Sequence, residues 1–160
     1  MPSLITVVGK SDSGKTTLME KLIRELKKRG YRIGTIKHAF HVHELDQKDK
    51  DSWRHKAAGA DTVLVATEGK IAMVKDVARL LLDDLEKYFD DMDLILTEGF
   101  KQENRPKIEV FRKDIHQAPL FSKDGNLIAM VTDADLDLAV PTFGLEEIEP
   151  LVDLIEKKFL

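Results

Sequence analysis

The chain has 160 residues, 42% hydrophobic and 34% charged, a balance that excludes a disordered chain and suits one domain over residues 1–160. Its 25 basic and 29 acidic side chains give a formal charge of −4, which excludes nucleic-acid binding through bulk charge. It has no cysteine, so disulfides and thiolate metal sites are excluded, and no apolar run approaches the roughly 18 residues of a membrane span.

Met1 to Ile5 lacks a basic stretch before a long apolar core, so no signal peptide is read and a cytoplasmic protein is expected. Charge is uneven along the chain. Residues 1–80 hold 16 basic and 10 acidic side chains, so an anionic ligand should be drawn to the first half.

Leu4 to Val8 is a short apolar run ending at Gly9 and reads as a buried strand. Leu18, Leu22 and Leu26 recur at i+4, so residues 15–29 read as an amphipathic helix that stops at Gly30. The basic residues from Lys21 to Arg32 are expected on its solvated face. Tyr31 to Ile36 reads as a second strand, and 38–50 as a polar loop. Asp51-Ser52 can cap a short helix reaching Ala58. Asp61 to Thr67 and Ile71 to Val74 read as strands around a Glu68-Gly69 turn. Asp76 is expected to cap a helix running to about Tyr88. Asp93 to Thr97 is a buried strand ending in Glu98-Gly99. Residues 107–112, 127–131 and 139–143 are further strands, and Glu146 to Phe159 is a closing helix. Strands alternating with helices predict an α/β fold, a mostly parallel twisted sheet with helices on both faces. Ligands of such sheets bind at the carboxyl ends of the strands.

Gly9-Lys10-Ser11-Asp12-Ser13-Gly14-Lys15-Thr16 matches G-x-x-x-x-G-K-[ST] without a mismatch. The small residues let the backbone curl so that its N–H groups face phosphate oxygens. The helix start adds its positive dipole end. Lys15 can reach the β- and γ-phosphates, and the Thr16 hydroxyl can bind Mg²⁺. This is the pattern of the P-loop NTPase fold. Lys10 is open to two readings, a lysine that reaches a partner subunit's nucleotide or an ordinary loop lysine.

A P-loop protein needs a carboxylate near Mg²⁺ at the end of a neighbouring buried strand. Glu98 answers to that, and Asp93 lies at the opposite end of the same strand. His38, His41, His43 and His55, with Asp46, Asp49 and Asp51, are open to three readings. They are a metal site, a switch-like loop in which Asp51 or Asp49 orients a water, or a solvated loop. Arg54 follows and can meet phosphate. N-K-x-D, which reads guanine in many GTP-binding proteins, is absent. Asp133 or Asp135, after a late apolar strand, could accept from guanine N1–H and N2–H₂ instead. ATP remains open on the residues alone.

Four segments together resemble the molybdopterin-guanine dinucleotide biosynthesis protein B (MobB) family. They are Val7 to Thr17; Thr35-Ile36-Lys37-His38 with His41; Asp46 through Lys50-Asp51-Ser52-Trp53-Arg54 to Ala58-Gly59-Ala60; and Thr97-Glu98-Gly99-Phe100-Lys101 with Pro106 to Val110. The resemblance implies a P-loop protein that binds GTP with Mg²⁺ and assists a MobA-type guanylyltransferase in making the molybdopterin guanine dinucleotide cofactor. It also implies a homodimer with weak GTPase activity at most. Gly14, Lys15, Thr16 and Thr17 would hold phosphates and Mg²⁺, and Glu98 would be the acidic strand-end residue. Asp51, Ser52 and Arg54 fall in the family's loop and helix start, and Lys101 and Lys107 in its last segment. Asp49 stands where the family commonly has glycine.

The expected binding residues are therefore Gly9, Lys10, Ser11, Asp12, Ser13, Gly14, Lys15, Thr16, Thr17, Arg54 and Asp133, with Thr16 and Glu98 on the metal and Lys15, Asp51 and Glu98 as the catalytic residues of slow hydrolysis, Asp51 placing the water. Molybdopterin contacts would fall in 38–55 and from Lys101 to Lys107. In a dimer, strands near 108–112 and 127–131 would pair across the interface. A small-molecule kinase, another ATP-binding P-loop protein and an interaction module holding nucleotide structurally are the alternatives.

Overall fold

The apolar run near the start of the chain becomes β1 (Ser3–Val8), an inner strand of a six-stranded sheet. The computed structural model describes residues 2–39 and 45–160. After β1 come α1 (Lys15–Lys28), β2 (Ile33–Lys37), α2 (Asp51–Ala57), β3 (Thr62–Thr67) and β4 (Lys70–Lys75). Then follow α3 (Leu82–Glu86) with a 3-10 turn at Lys87–Phe89, β5 (Leu94–Glu98), β6 (Lys107–Phe111), β7 (Leu127–Thr132), β8 (Thr142–Phe143) and α4 (Ile148–Phe159). The chain packs as two compact units, Met1–His38 with Leu82–Leu160, and Ala39–Leu81.

The first unit holds the sheet, in the order β2-β5-β1-β6-β7-β8, with every pairing parallel. Both faces of the inner strands are covered, which is why they read as continuous apolar runs. One face packs Ile5, Val7, Leu96, Ile108 and Val131 against Leu22 and Leu26 of α1 and Leu151 and Ile155 of α4. On the other face Leu4, Ile36 and Ile95 pack under Leu82 of α3, with Leu85 and Phe89 beside them. Coil covers the rest of that face, with Phe121, Leu136 and Val140 against Phe111 and Met130. Val7 and Lys37 both lie level with Glu98, so the carboxyl ends of β1, β2 and β5 share one edge.

The second unit holds an antiparallel β3–β4 ribbon, paired from Thr62 opposite Lys75 to Thr67 opposite Lys70. Lys56 of α2 donates to the Ala60 carbonyl at 2.7 Å and pairs with Asp76 at 2.5 Å. Val63 is buried, whereas Leu64, Val65, Ile71 and Met73 are exposed.

Several expectations need correction. The helix from Asp76 does not form. The Asp76 N–H is bound to the Asp61 carbonyl at 2.9 Å, which continues the ribbon, and the helix starts only at Leu82. Asp51 is the first helical residue and not the cap; Lys50 is the cap and no side chain closes it. The strand expected at 139–143 shrinks to β8. Strands β6 and β7 cannot pair across an interface, because each already has a neighbour on both sides. The basic residues of α1 are only partly solvated. Lys21 pairs with Glu146, and Arg29 with Asp153 and Glu156, so the acidic end of the chain neutralises part of the basic start. Among the described residues no helix is long and apolar enough to cross a membrane.

Candidate functional site

Strand β1 stops at Val8, and residues 9–14 curl back before α1 begins at Lys15. Gly9 has φ +147°, and a Cβ there would lie 2.6 Å from the Val110 carbonyl oxygen, so only glycine fits this turn. Asp12 also takes a positive φ, 61°. Gly14 is the N-cap of α1, no side chain caps it, and the first turn has no acidic residue. The first amides of the helix therefore face outward without an internal anion, which is the arrangement that accepts phosphate. The Lys15 ammonium donates to the Lys10 carbonyl at 2.8 Å and so lies across its own loop. The Ser13 hydroxyl is buried and, among the described residues, has no hydrogen-bond partner. A buried unpaired hydroxyl is costly, and a phosphate oxygen would satisfy it.

The Thr16 hydroxyl faces the Glu98 carboxylate, at 3.2 Å from Oε1 and 3.1 Å from Oε2. Lys37 Nζ stands 3.9 Å from Glu98 Oε1. One hydroxyl and one carboxylate are hard oxygen donors. Mg²⁺ is commonly held by one or two carboxylates, with phosphate and water completing the shell. The pair therefore fits Mg²⁺ bound with a phosphate ligand. It would not hold a metal alone, and among the described residues no group of three metal-ligating side chains occurs.

Glu98 is held from behind. Its carbonyl accepts the His38 N–H at 2.9 Å. Gly99 follows at φ +99°, where a Cβ would meet the His38 Cβ at 2.8 Å. Phe100 takes φ +49° and stacks on the His38 ring at 4.6 Å between centroids. An aromatic residue at positive φ is strained, and such strain persists only where packing imposes it.

Beside the loop is a cavity of about 130 Å³, bordered by Ser13, Thr17 and Lys21 on one side and by Arg112 and Glu146 on the other. Arg112 is held by Asp133, with Nε 2.8 Å from Oδ2, and the Lys113 N–H donates to Oδ1 at 2.9 Å. The Lys113 amide and then the Arg112 guanidinium hold the Asp133 carboxyl below the usual carboxylate range. His116 reaches the phosphate loop itself, its Nε2 2.9 Å from the Ser11 carbonyl oxygen. Neither His116 nor Glu146 is a candidate in the linear sequence, which offers Lys21 only in the basic cluster of a helix and Arg112 only as an arginine for a kinase. They arrive because β6 lies next to β1 and because α4 returns beside α1.

The loop Gly9 to Thr17 and Glu98 thus share one edge of the sheet. Asp51 and Arg54 lie in the second unit, both exposed on α2, with 3.9 Å between their charged atoms. Asp49 has φ +68°, a left-handed conformation suited to the glycine of the resemblance. His55 is exposed on α2, and His41 and His43 lie outside the described residues. Lys101 is exposed. Lys107 is a prop, not a ligand group. It is only 2% exposed, donates to the Glu103 carbonyl at 2.8 Å and pairs with Asp124 at 3.2 Å. Glu109 beside it accepts the Leu120 and Phe121 N–H groups at 2.6 and 2.9 Å. Together they pin the coil that carries His116.

Comparison with known proteins shows the family. The family model described as molybdopterin guanine dinucleotide synthesis protein B matches residues 4–133. A molybdopterin-guanine dinucleotide biosynthesis adapter protein of Haemophilus influenzae is 39% identical, over 96% of this chain and 87% of that protein. The adapter protein of the same description in Escherichia coli is 37% identical, over 97% and 92%. Among solved structures, Bacillus subtilis MobB superposes with a TM-score of 0.79 at 29% identity, covering 99% of this chain and 98% of that one. A MobB homologue from Bacillus stearothermophilus gives 0.72 at 28% identity, covering 97% and 99%.

Proposed function

The chain belongs to the molybdopterin guanine dinucleotide synthesis protein B family, and on that premise we propose that it is a GTP-binding adapter in the biosynthesis of the molybdenum cofactor. In this reading it holds GTP with Mg²⁺ and serves a guanylyltransferase that joins GMP to molybdopterin. The observation that carries the nucleotide reading is the loop from Gly9 to Thr16. It is curled, without an acidic residue in the first turn of α1, and faces a carboxylate across the sheet edge.

The residues divide the work. The outward amides at the start of α1 and the Ser13 hydroxyl bind phosphate oxygens. Lys15 leaves the Lys10 carbonyl and places its charge on the β- and γ-phosphates. The Thr16 hydroxyl and the Glu98 carboxylate hold the metal, directly or through water. Bound Mg²⁺ supplies neutralisation of the phosphate charge. No arginine is assigned to a hydrolytic transition state, and such a residue is worth roughly 10³–10⁵ in rate. Hydrolysis is therefore slow, and binding is the function. A second copy of the chain is the partner that would cover the exposed apolar residues of β3 and β4.

The test is calorimetric titration with non-hydrolysable GTP and ATP analogues, with and without Mg²⁺, followed by assay of guanylyltransferase product formation with and without the protein. Mg²⁺-dependent GTP binding together with more product is expected. No GTP binding, or no effect on product, overturns the reading. Multiple-turnover transfer from ATP to a small acceptor would replace it with a kinase.

A further inference from the structure

The cavity beside the phosphate loop has chemistry of its own. Ser13 and Thr17 form its near wall, so it is continuous with the phosphate site. Leu145 gives it an apolar side. Among the described residues Glu146 is the one carboxylate on its border. That side chain is 84% exposed and is paired with Lys21 at 2.7 Å, so it turns at little cost.

The other nearby carboxylates are engaged. Each Asp133 oxygen accepts a hydrogen bond, from Arg112 and from the Lys113 amide. Glu147 accepts the Gly144 N–H at 2.6 Å. Asp135 does not border the cavity.

We propose that this cavity receives the nucleobase of the bound nucleotide and that the Glu146 carboxylate selects guanine. The proposal rests on the nucleotide reading above. Guanine presents N1–H and N2–H₂ side by side, two donors for the two acceptor oxygens of one carboxylate. Adenine presents the lone pair of N1 beside the N6 amine, and a carboxylate facing that lone pair is repelled. Lys21 releases Glu146 when the base enters and remains beside the ribose and phosphates. Asp133, with both oxygens engaged, stays outside the base site. It holds Arg112 against the cavity wall and does not read the base.

The experiment compares the native protein, Glu146→Gln and Asp133→Asn by calorimetry. The titrants are Mg²⁺ complexes of non-hydrolysable GTP, ATP and XTP analogues, with inorganic tripolyphosphate as a base-free probe. Xanthine carries a carbonyl where guanine has its 2-amine, and an amide side chain can donate to that carbonyl while accepting N1–H. The native protein should prefer GTP over ATP by about tenfold or more. E146Q should lose about that factor for GTP and gain it for XTP, with tripolyphosphate unchanged. A role for Glu146 confined to holding Lys21 would produce no gain for XTP. D133N should keep the preference for GTP.

Equal affinity of the native protein for GTP and ATP overturns the proposal and leaves the phosphate loop standing. So does an unchanged preference in E146Q, or a switch to XTP in D133N. Failure to bind tripolyphosphate and every nucleotide overturns the phosphate-loop reading, and the proposal with it.

Discussion

The Thr16 hydroxyl lies 3.1 Å from Glu98 Oε2, across 82 residues of sequence. The register of β1 and β5 makes that contact, since Val7 stands opposite Glu98 and β1 runs only to Val8 beyond it. Each strand then delivers one oxygen donor to the same point. Thr16 does so through the first turn of α1, and Glu98 through the last residue of β5.

Replacing Glu98 with Gln keeps the shape and removes the charge. The variant should bind nucleotide with little gain from added Mg²⁺, a loss of about tenfold or more in metal-dependent affinity. Titration at several Mg²⁺ concentrations measures this. An unchanged Mg²⁺ dependence would remove Glu98 from the metal site. Binding without metal should persist, because the loop amides and Lys15 are intact.

Lys15→Ala separates binding from folding. Among the described residues the ammonium has one hydrogen bond, to the Lys10 carbonyl of its own loop. Its loss should shift stability by no more than about 0.5 kcal/mol. Nucleotide affinity should fall by tenfold or more, because the phosphates lose their nearest mobile cation. Thermal melts with and without GTP analogue test both halves. A large drop in Tm without ligand would show that Lys15 holds the loop together.

The phosphate loop and the strand-end glutamate were legible because both are local. Spacing defines the loop, and Glu98 follows an apolar run directly. The parallel sheet was legible from strands alternating with helices. What could not be read was set by distant neighbours. Lys107 and Glu109 alternate with apolar residues as solvent-facing side chains would, yet both are buried, because the coil after β6 folds over them. The basic face of α1 looks solvated until α4 lies beside it. The helix expected from Asp76 lost to a hydrogen bond with Asp61, at the far end of a ribbon whose pairing local propensity does not reveal.

The Asp133 carboxyl is held low in the folded chain by the Lys113 amide and by Arg112. A depressed carboxyl contributes stability that is full above its unfolded value, near pH 4, and is lost as pH falls through the folded value below that. Asp133→Asn should therefore melt below the native protein at neutral pH. The gap should close as pH falls below about 4. Melting temperatures from pH 7 down to 3 measure this. A gap constant over that range would mean that the carboxylate charge contributes nothing.

The β3–β4 ribbon presents an unusual surface. Leu64, Ile71 and Met73 share one face of it and are all exposed, Ile71 at 74%. A two-stranded ribbon is at best marginally stable in water, and clustered exposed apolar side chains mark an interaction surface. The homodimer implied by the family resemblance would cover it. The native chain should sediment as a dimer, and Ile71→Glu should sediment as a monomer, because a buried unpaired carboxylate would oppose association. The phosphate loop and Glu98 belong to the other compact unit. The variant should therefore still bind tripolyphosphate, which distinguishes lost association from lost folding. A native monomer, or an Ile71→Glu dimer of undiminished stability, would show that two copies do not meet through this ribbon.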